Sequence, residues 1–238
     1  MTKILEIDKL SASYGGGLVI DGISLVLREG EIFGIVGPNG HGKTSLLRAI
    51  SGLMPHRTGS VHFEGREIAG QAPERIAARG IVHVPQGDLV YKNMTVLENL
   101  LVGGYTNASI KISDQQLEKV YTLFPKLKER ESQSASSLSG GERRMLGIGR
   151  GLMMANAKLL LLDEPSLGLA PIVIEQIYTA IGNLRESGLT IVIVEENIGR
   201  VAAIADRMCL LDRGHMLWSG VPAELTGNRQ LIETYLGT

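Results

Sequence analysis

One cysteine among 238 residues leaves no disulfide to form within the chain. That residue, Cys209, stands in the apolar run Arg207-Met208-Cys209-Leu210-Leu211 and reads as a packed thiol in a reducing cytosol. Charge of either sign is not in excess: 24 Lys and Arg face 25 Asp and Glu, a formal charge of -1. Such a balance gives no global handle for nucleic acid or an anionic membrane, so no nucleic-acid partner is expected and any anion site must be local. No run approaches the ~18 apolar residues of a membrane span, and the segment from Met1 to Asp8 has no apolar export core. A cytoplasmic chain is expected. Aromatic residues make up only 4%, yet 44% of the chain is hydrophobic and 21% charged, which excludes disorder and fits one or two globular domains. What the chain does have is glycine, 30 residues without repeat or low-complexity tract, so many are used locally.

Short β-type runs open the sequence at 4–7, 18–20 and 24–27. A further run, 31–36, ends in a glycine-rich turn, and 43–52 reads as a helix. A strand at 60–63, a Pro73-initiated helix to Ala78 and a buried strand at 81–84 follow. From Thr95 to about Ala155 the apolar spacing predicts helix almost throughout, as in Leu117, Val120 and Leu123. Strand 159–162, helix 171–186, strand 190–194 and a 208–218 hairpin then resume the alternation. Its continuous apolar strands imply a parallel sheet buried on both faces. The reading is one α/β core with an inserted helical subdomain.

Gly37-Pro-Asn-Gly-His-Gly42-Lys43-Thr44 fits G-x-x-x-x-G-K-[ST] between a strand and a helix, the context a phosphate loop requires. Glycines let the backbone aim several N–H groups at one centre, the helix N-terminus adds positive potential, and Lys43 adds a full charge. Thr44 can then ligate Mg²⁺. His41 is read as a bystander at a variable position. Strand Leu159–Leu162 runs into Asp163 and Glu164 at the carboxyl edge, where open parallel sheets bind ligands. Asp163 suits contact with Mg²⁺, and Glu164 is placed to accept a proton from attacking water. Alone, the pair also reads as solvated strand-end acids. Ser139-Gly140-Gly141-Glu142 opens a further helix with a second set of free N–H groups; alone, it also reads as an ordinary Ser cap.

These three segments, at their separations, resemble the nucleotide-binding subunit of an ABC transporter, and the resemblance covers the whole chain. It implies a phosphate-loop NTPase core with a RecA-like mixed sheet, an N-terminal antiparallel β part and a helical subdomain. The single ATP-binding domain would span 1–238, with 1–87 and 156–238 as core and 88–155 as the helical subdomain. It implies ATP and Mg²⁺ as cofactors, cradled by Gly37, Asn39, Gly40, Gly42, Lys43, Thr44 and Ser45 with Tyr14 stacked on adenine. Tyr14 as plain packing is the alternative. Thr44, Gln86 and Asp163 would attend the metal, Glu164 and Gln86 the water. A head-to-tail dimer, with itself or a second ATPase, would close Ser139, Gly140 and Gly141 over the nucleotide of the other subunit.

The segments Thr95–Leu100, Pro165–Pro171, Val194–Asn197 and Tyr235–Gly237 are similar to branched-chain amino acid importers, and within them to the second of two ATPase subunits. The resemblance implies two membrane permease subunits, a periplasmic solute-binding protein, and a place on the inner face of the membrane. Urea, short amides and aromatic acids are the solutes of relatives; a soluble regulatory ABC ATPase is the alternative function. A kinase or GTPase leaves the Ser139 segment unexplained, and no N-K-x-D guanine reader is present. Two positions depart from the family pattern. Ala170 stands where an Asp is usual, and Glu196 where a His donates toward the terminal phosphate. An ionised Glu can only accept, so Glu196 is expected to turn away and the chain's own site to hydrolyse slowly.

Overall fold

The computed structural model describes residues 2–87, 90–105 and 110–227, so the Tyr235–Gly237 segment lies outside the described residues. Two sheets carry the fold. The first joins β1 (Lys3–Ser13), β2 (Leu18–Arg28), β4 (His56–Phe63) and β5 (Arg66–Glu67) in the order β2-β1-β4-β5, antiparallel throughout. The second contains β3 (Ile32–Val36), β6 (Ile81–Val84), β7 (Leu159–Asp163), β8 (Thr190–Glu195), β9 (Arg207–Asp212) and β10 (His215–Gly220). Its order is β10-β9-β3-β8-β7-β6, parallel except for the β10 edge. Strands β3, β7 and β8 are buried along their whole length, the burial their unbroken apolar runs require. This α/β architecture with an N-terminal antiparallel sheet is the fold class expected.

Helix α1 (Lys43–Ile50) lies between the sheets, and its Leu46 and Leu47 share one core with Leu5 and Ile7 of β1 and with Phe33, Leu161 and Val192. A second core lies on the other face of the six-stranded sheet. There α3 (Val96–Gly103), α4 (Ile110–Leu123), α6 (Gly140–Leu152) and α7 (Pro171–Glu186) contribute Leu100, Val120, Leu146 and Ile177 against Leu160, Leu162 and Ile193. Short α2 (Pro73–Ala78), α5 (Pro125–Glu129), α8 (Ile198–Ala202) and α9 (Pro222–Gly227) are the remaining α-helices of the described residues.

Two expectations are corrected. The runs 18–20 and 24–27 belong to one strand, because a register shift between Leu10 and Ala12 of β1 absorbs the irregular Asp21-Gly22 between them. The 95–155 stretch is not continuously helical: Pro125 starts a new helix, and 130–139 is turn and 3₁₀ structure. In that break Ser134 bonds the Lys92 carbonyl, while the Glu131 and Gln133 carbonyls accept the first amides of α3. Serine side chains and helix-end N–H groups thus outcompete helix propagation.

Helices α3 and α6 approach closely at Gly103, where a Cβ would run into the backbone carbonyl oxygen of Arg150. Gly103→Ala is expected to lower unfolding free energy by about 1–3 kcal/mol in denaturant titrations, despite alanine's better helix propensity. A wild-type midpoint would show that the two helices can separate at no cost.

Candidate functional site

The register Val36↔Glu195 and Asp163↔Val194 brings the carboxyl ends of β3, β7 and β8 to one edge of the sheet. Residues 37–42 leave that edge as the phosphate loop. Gly42 caps α1 at φ 103°, left-handed backbone, and a Cβ there would sit 2.9 Å from the Val19 carbonyl oxygen. Glycine is therefore required on two counts. No side chain caps α1 and no acid occupies its first turn, so its leading N–H groups stay available to an anion. Asn39, Gly40, Gly42, Lys43, Thr44 and Ser45 line a cavity of about 300 Å³, with Gln86 and Glu164 at its far wall. Lys43 is buried, and its ammonium donates to the carbonyls of Gly37 (2.7 Å) and Pro38 (3.0 Å) and lies 3.8 Å from Glu164 Oε1. Burial lowers its pKa, opposed by the negative charges of Glu164, Glu196, Asp163 and Glu195.

Thr44 Oγ1 donates to Asp163 Oδ1 at 2.9 Å, whereas the buried Asp163 Oδ2 has no partner among the described residues. Desolvation raises the Asp163 pKa, and the Thr44 hydroxyl and the Gln86 backbone N–H, then the charges of Arg48 and Lys43, lower it. A buried carboxylate oxygen left over beside a threonine hydroxyl is an oxygen donor set that suits Mg²⁺, so these residues fit that ion. Glu164 takes the left-handed φ of 46°, unusual for a residue with a side chain, and accepts a 2.9 Å bond from the Gln86 side-chain amide. Burial raises its pKa; Lys43 lowers it, and Asp163, Glu195 and Glu196 raise it further. The result is a carboxylate more basic than usual, set beside the lysine.

Glu196 does not turn away from the site. Its Oε2 accepts a 3.1 Å bond from the side-chain amide of Asn39, because β8 ends directly beside the loop that follows β3. The contacts of two further residues escaped the sequence reading. Buried Glu195 accepts from the Ser166 amide (3.0 Å) and the Tyr178 hydroxyl (3.2 Å), bracing the turn that follows Glu164. Its signal was position alone, a carboxylate at the end of a buried strand. His41 has a structural contact: Nδ1 lies 2.5 Å from Asp212 Oδ1, and the His41 carbonyl accepts from the Gly214 amide, tying the loop to the β9–β10 turn.

Tyr14 is 49% exposed, its hydroxyl accepting from Arg48 at 3.2 Å and lying 3.4 Å from Ser45 Oγ, which holds the ring beside α1. Ser139 caps α6 in a capping box: Glu142 N donates to Ser139 Oγ (3.3 Å) and Ser139 N to Glu142 Oε2 (2.8 Å). Gly141 packs tightly, since a Cβ there would come within 2.5 Å of Val173 Cγ1. Ser139, Gly140 and Gly141 do not line the phosphate-loop cavity; Gly140 opens onto a separate hollow with Gly87, Arg143 and Leu169.

Residues 20–167 match the model of a family described as ABC transporter. The chain belongs to that family. It is an ABC ATPase, with sequence likeness extending across its length. It is 42% identical over 234 residues, 98% of this chain and 100% of the relative, to the high-affinity branched-chain amino acid transport ATP-binding protein BraG of Pseudomonas aeruginosa. It is 32% identical, over 98% of this chain and 97% of the relative, to the lipopolysaccharide export system ATP-binding protein LptB of Escherichia coli K12. Among solved structures, a nucleotide-free ATP-binding cassette from an ABC transporter superposes with TM-score 0.87 at 27% identity, covering 100% of both chains. A second cassette, in its ADP conformation, gives 0.85 at 28%, again covering 100% of both. No helix among the described residues of this ABC ATPase is long and apolar enough to cross a membrane.

Proposed function

We propose that this ABC ATPase energises an importer of branched-chain amino acids, working as one ATP-binding domain over residues 1–238. The carrying observation is the meeting of Lys43, Thr44, Asp163, Glu164 and Gln86 at one sheet edge in a chain 42% identical, end to end, to a branched-chain amino acid transport ATP-binding protein. Lys43 and the leading amides of α1 bind the phosphates, and the exposed Tyr14 ring offers a face to adenine. Thr44 and Asp163, with Gln86 beside them, would hold Mg²⁺, which neutralises phosphate charge when bound. Glu164, raised in basicity by burial, takes the proton from the attacking water, while the Gln86 amide fixes its carboxylate.

Ser139, Gly140 and Gly141 do not line the cavity of their own phosphate loop, which favours a role across a head-to-tail dimer, with a second copy or a second ATPase. Two permease subunits would hold this chain against the inner face of the membrane and receive solute from a periplasmic binding protein. An open groove of about 260 Å³ between α2, β6 and α6, lined by Leu53, Ile76, Pro85, Arg150 and Met154, suits such a contact. Leu53 is half exposed there, and Arg150 stacks 5.1 Å from the Tyr91 ring.

The test is ATP-driven uptake of labelled leucine, isoleucine and valine by proteoliposomes holding this chain with its permease subunits. Ser139→Arg, which fills the second helix end with a cationic side chain, should abolish uptake while leaving nucleotide binding by the isolated chain unchanged. Uptake of urea, a short amide or an aromatic acid in place of these three would overturn the solute reading. ATP hydrolysis without any permease partner would favour the soluble module.

A further inference from the structure

We infer that Glu196 makes this site discriminate against the terminal phosphate of a triphosphate, weakening the free subunit's hold on ATP relative to ADP. The geometry runs through Asn39. Its side-chain oxygen lies 3.5 Å from Lys43 Nζ and its side-chain nitrogen donates to Glu196 Oε2 at 3.1 Å, so one amide group separates the loop's cation from a carboxylate. Any phosphate bound by Lys43 has that carboxylate as a near neighbour.

Which phosphate meets it follows from the layout of the site. Tyr14 is anchored to Ser45 and Arg48 along α1, on the base side, whereas Glu164 and Glu196 stand at the carboxyl edge of the sheet, on the side where water attacks. The last phosphate of a triphosphate therefore enters the space beside Glu196, and a diphosphate leaves it empty. The adjoining cavity, about 660 Å³, adds Glu164 and Glu195 to the same wall. Its sole cationic side chain among the described lining residues, Arg200, is already bonded to Ser166 Oγ at 3.0 Å. Glu196 is exposed, so solvent screens the repulsion but does not remove it. An effect of about tenfold lies between the water-screened and interior limits for two like charges a few ångströms apart.

The experiment is calorimetry on the purified full chain with MgADP and with the magnesium complex of β,γ-imido ATP, for wild type and Glu196→Gln. The amide keeps the shape and can still accept from Asn39, but carries no charge. Glu196→Gln should tighten the imido analogue about tenfold and leave ADP within about twofold, and raising salt to 1 M should narrow the gap between the two proteins. Unchanged ADP affinity also reports an intact fold. Equal shifts for both nucleotides, no shift in either, or joint loss of both would overturn the inference. It rests on the ATP reading of this site, and wild type that bound neither nucleotide would overturn that reading instead.

Discussion

Replacing Lys43 by alanine should weaken MgATP binding at least about a hundredfold. Among the described residues lining the loop cavity the ammonium is the one full positive charge, buried and already turned inward onto the Gly37 and Pro38 carbonyls. Charge-assisted hydrogen bonds from it to phosphate oxygens contribute about 1.5–3 kcal/mol each, and two of them suffice for a hundredfold. Its loss also removes the positive charge that stands 3.8 Å from Glu164 and offsets the carboxylates of the site. Isothermal calorimetry on the purified variant reads this directly. An affinity equal to wild type would mean that the α1 amides alone hold the nucleotide.

Glu164→Gln should leave nucleotide affinity within a few fold and slow single-turnover hydrolysis by about a hundredfold to ten-thousandfold, since an amide cannot accept the proton from water. The two variants thus separate binding from chemistry at residues whose charged groups lie 3.8 Å apart. The wild-type rate should also carry a pH signature. Only ionised Glu164 works as a base, and burial, Asp163, Glu195 and Glu196 all push its pKa up, against Lys43. Hydrolysis should therefore fall on acidification at a higher pH than an ordinary carboxylate would set, and that limb should vanish in Glu164→Gln. A wild-type rate in the variant, within the assembled dimer, would remove Glu164 from the role of base.

Much of the site was legible because its parts are short and contiguous. A phosphate loop such as residues 37–44 works through its own backbone and one side chain, so residue type and order carry nearly all the information. The strand 159–163 is legible for a related reason: burial on both faces demands an unbroken apolar run, and a pair of acids at its end marks the sheet edge. The break in the helical stretch after Leu123 was less legible. Apolar spacing continues across it, and only the bonds of Ser134 and the Gln133 carbonyl to distant backbone groups show why the helix stops.

By itself the sequence determined the α/β class, the phosphate loop, the paired carboxylates and the family: the loop and the acid pair are short contiguous segments, and the class and the family are carried by the order and separation of such segments along the chain. Tertiary structure alone decided where Glu196, Glu195 and His41 point. Asn39 and Glu196 are 157 residues apart, His41 and Asp212 171, and Ser166 and Glu195 29. These pairs meet because β8 and β9 flank β3 while β7 flanks β8 in parallel register, an order set by how the strands and helices bury their apolar faces together. Electrostatics then follows position: four carboxylates come to surround one lysine because parallel strands that end at the same edge deliver their last side chains to the same place.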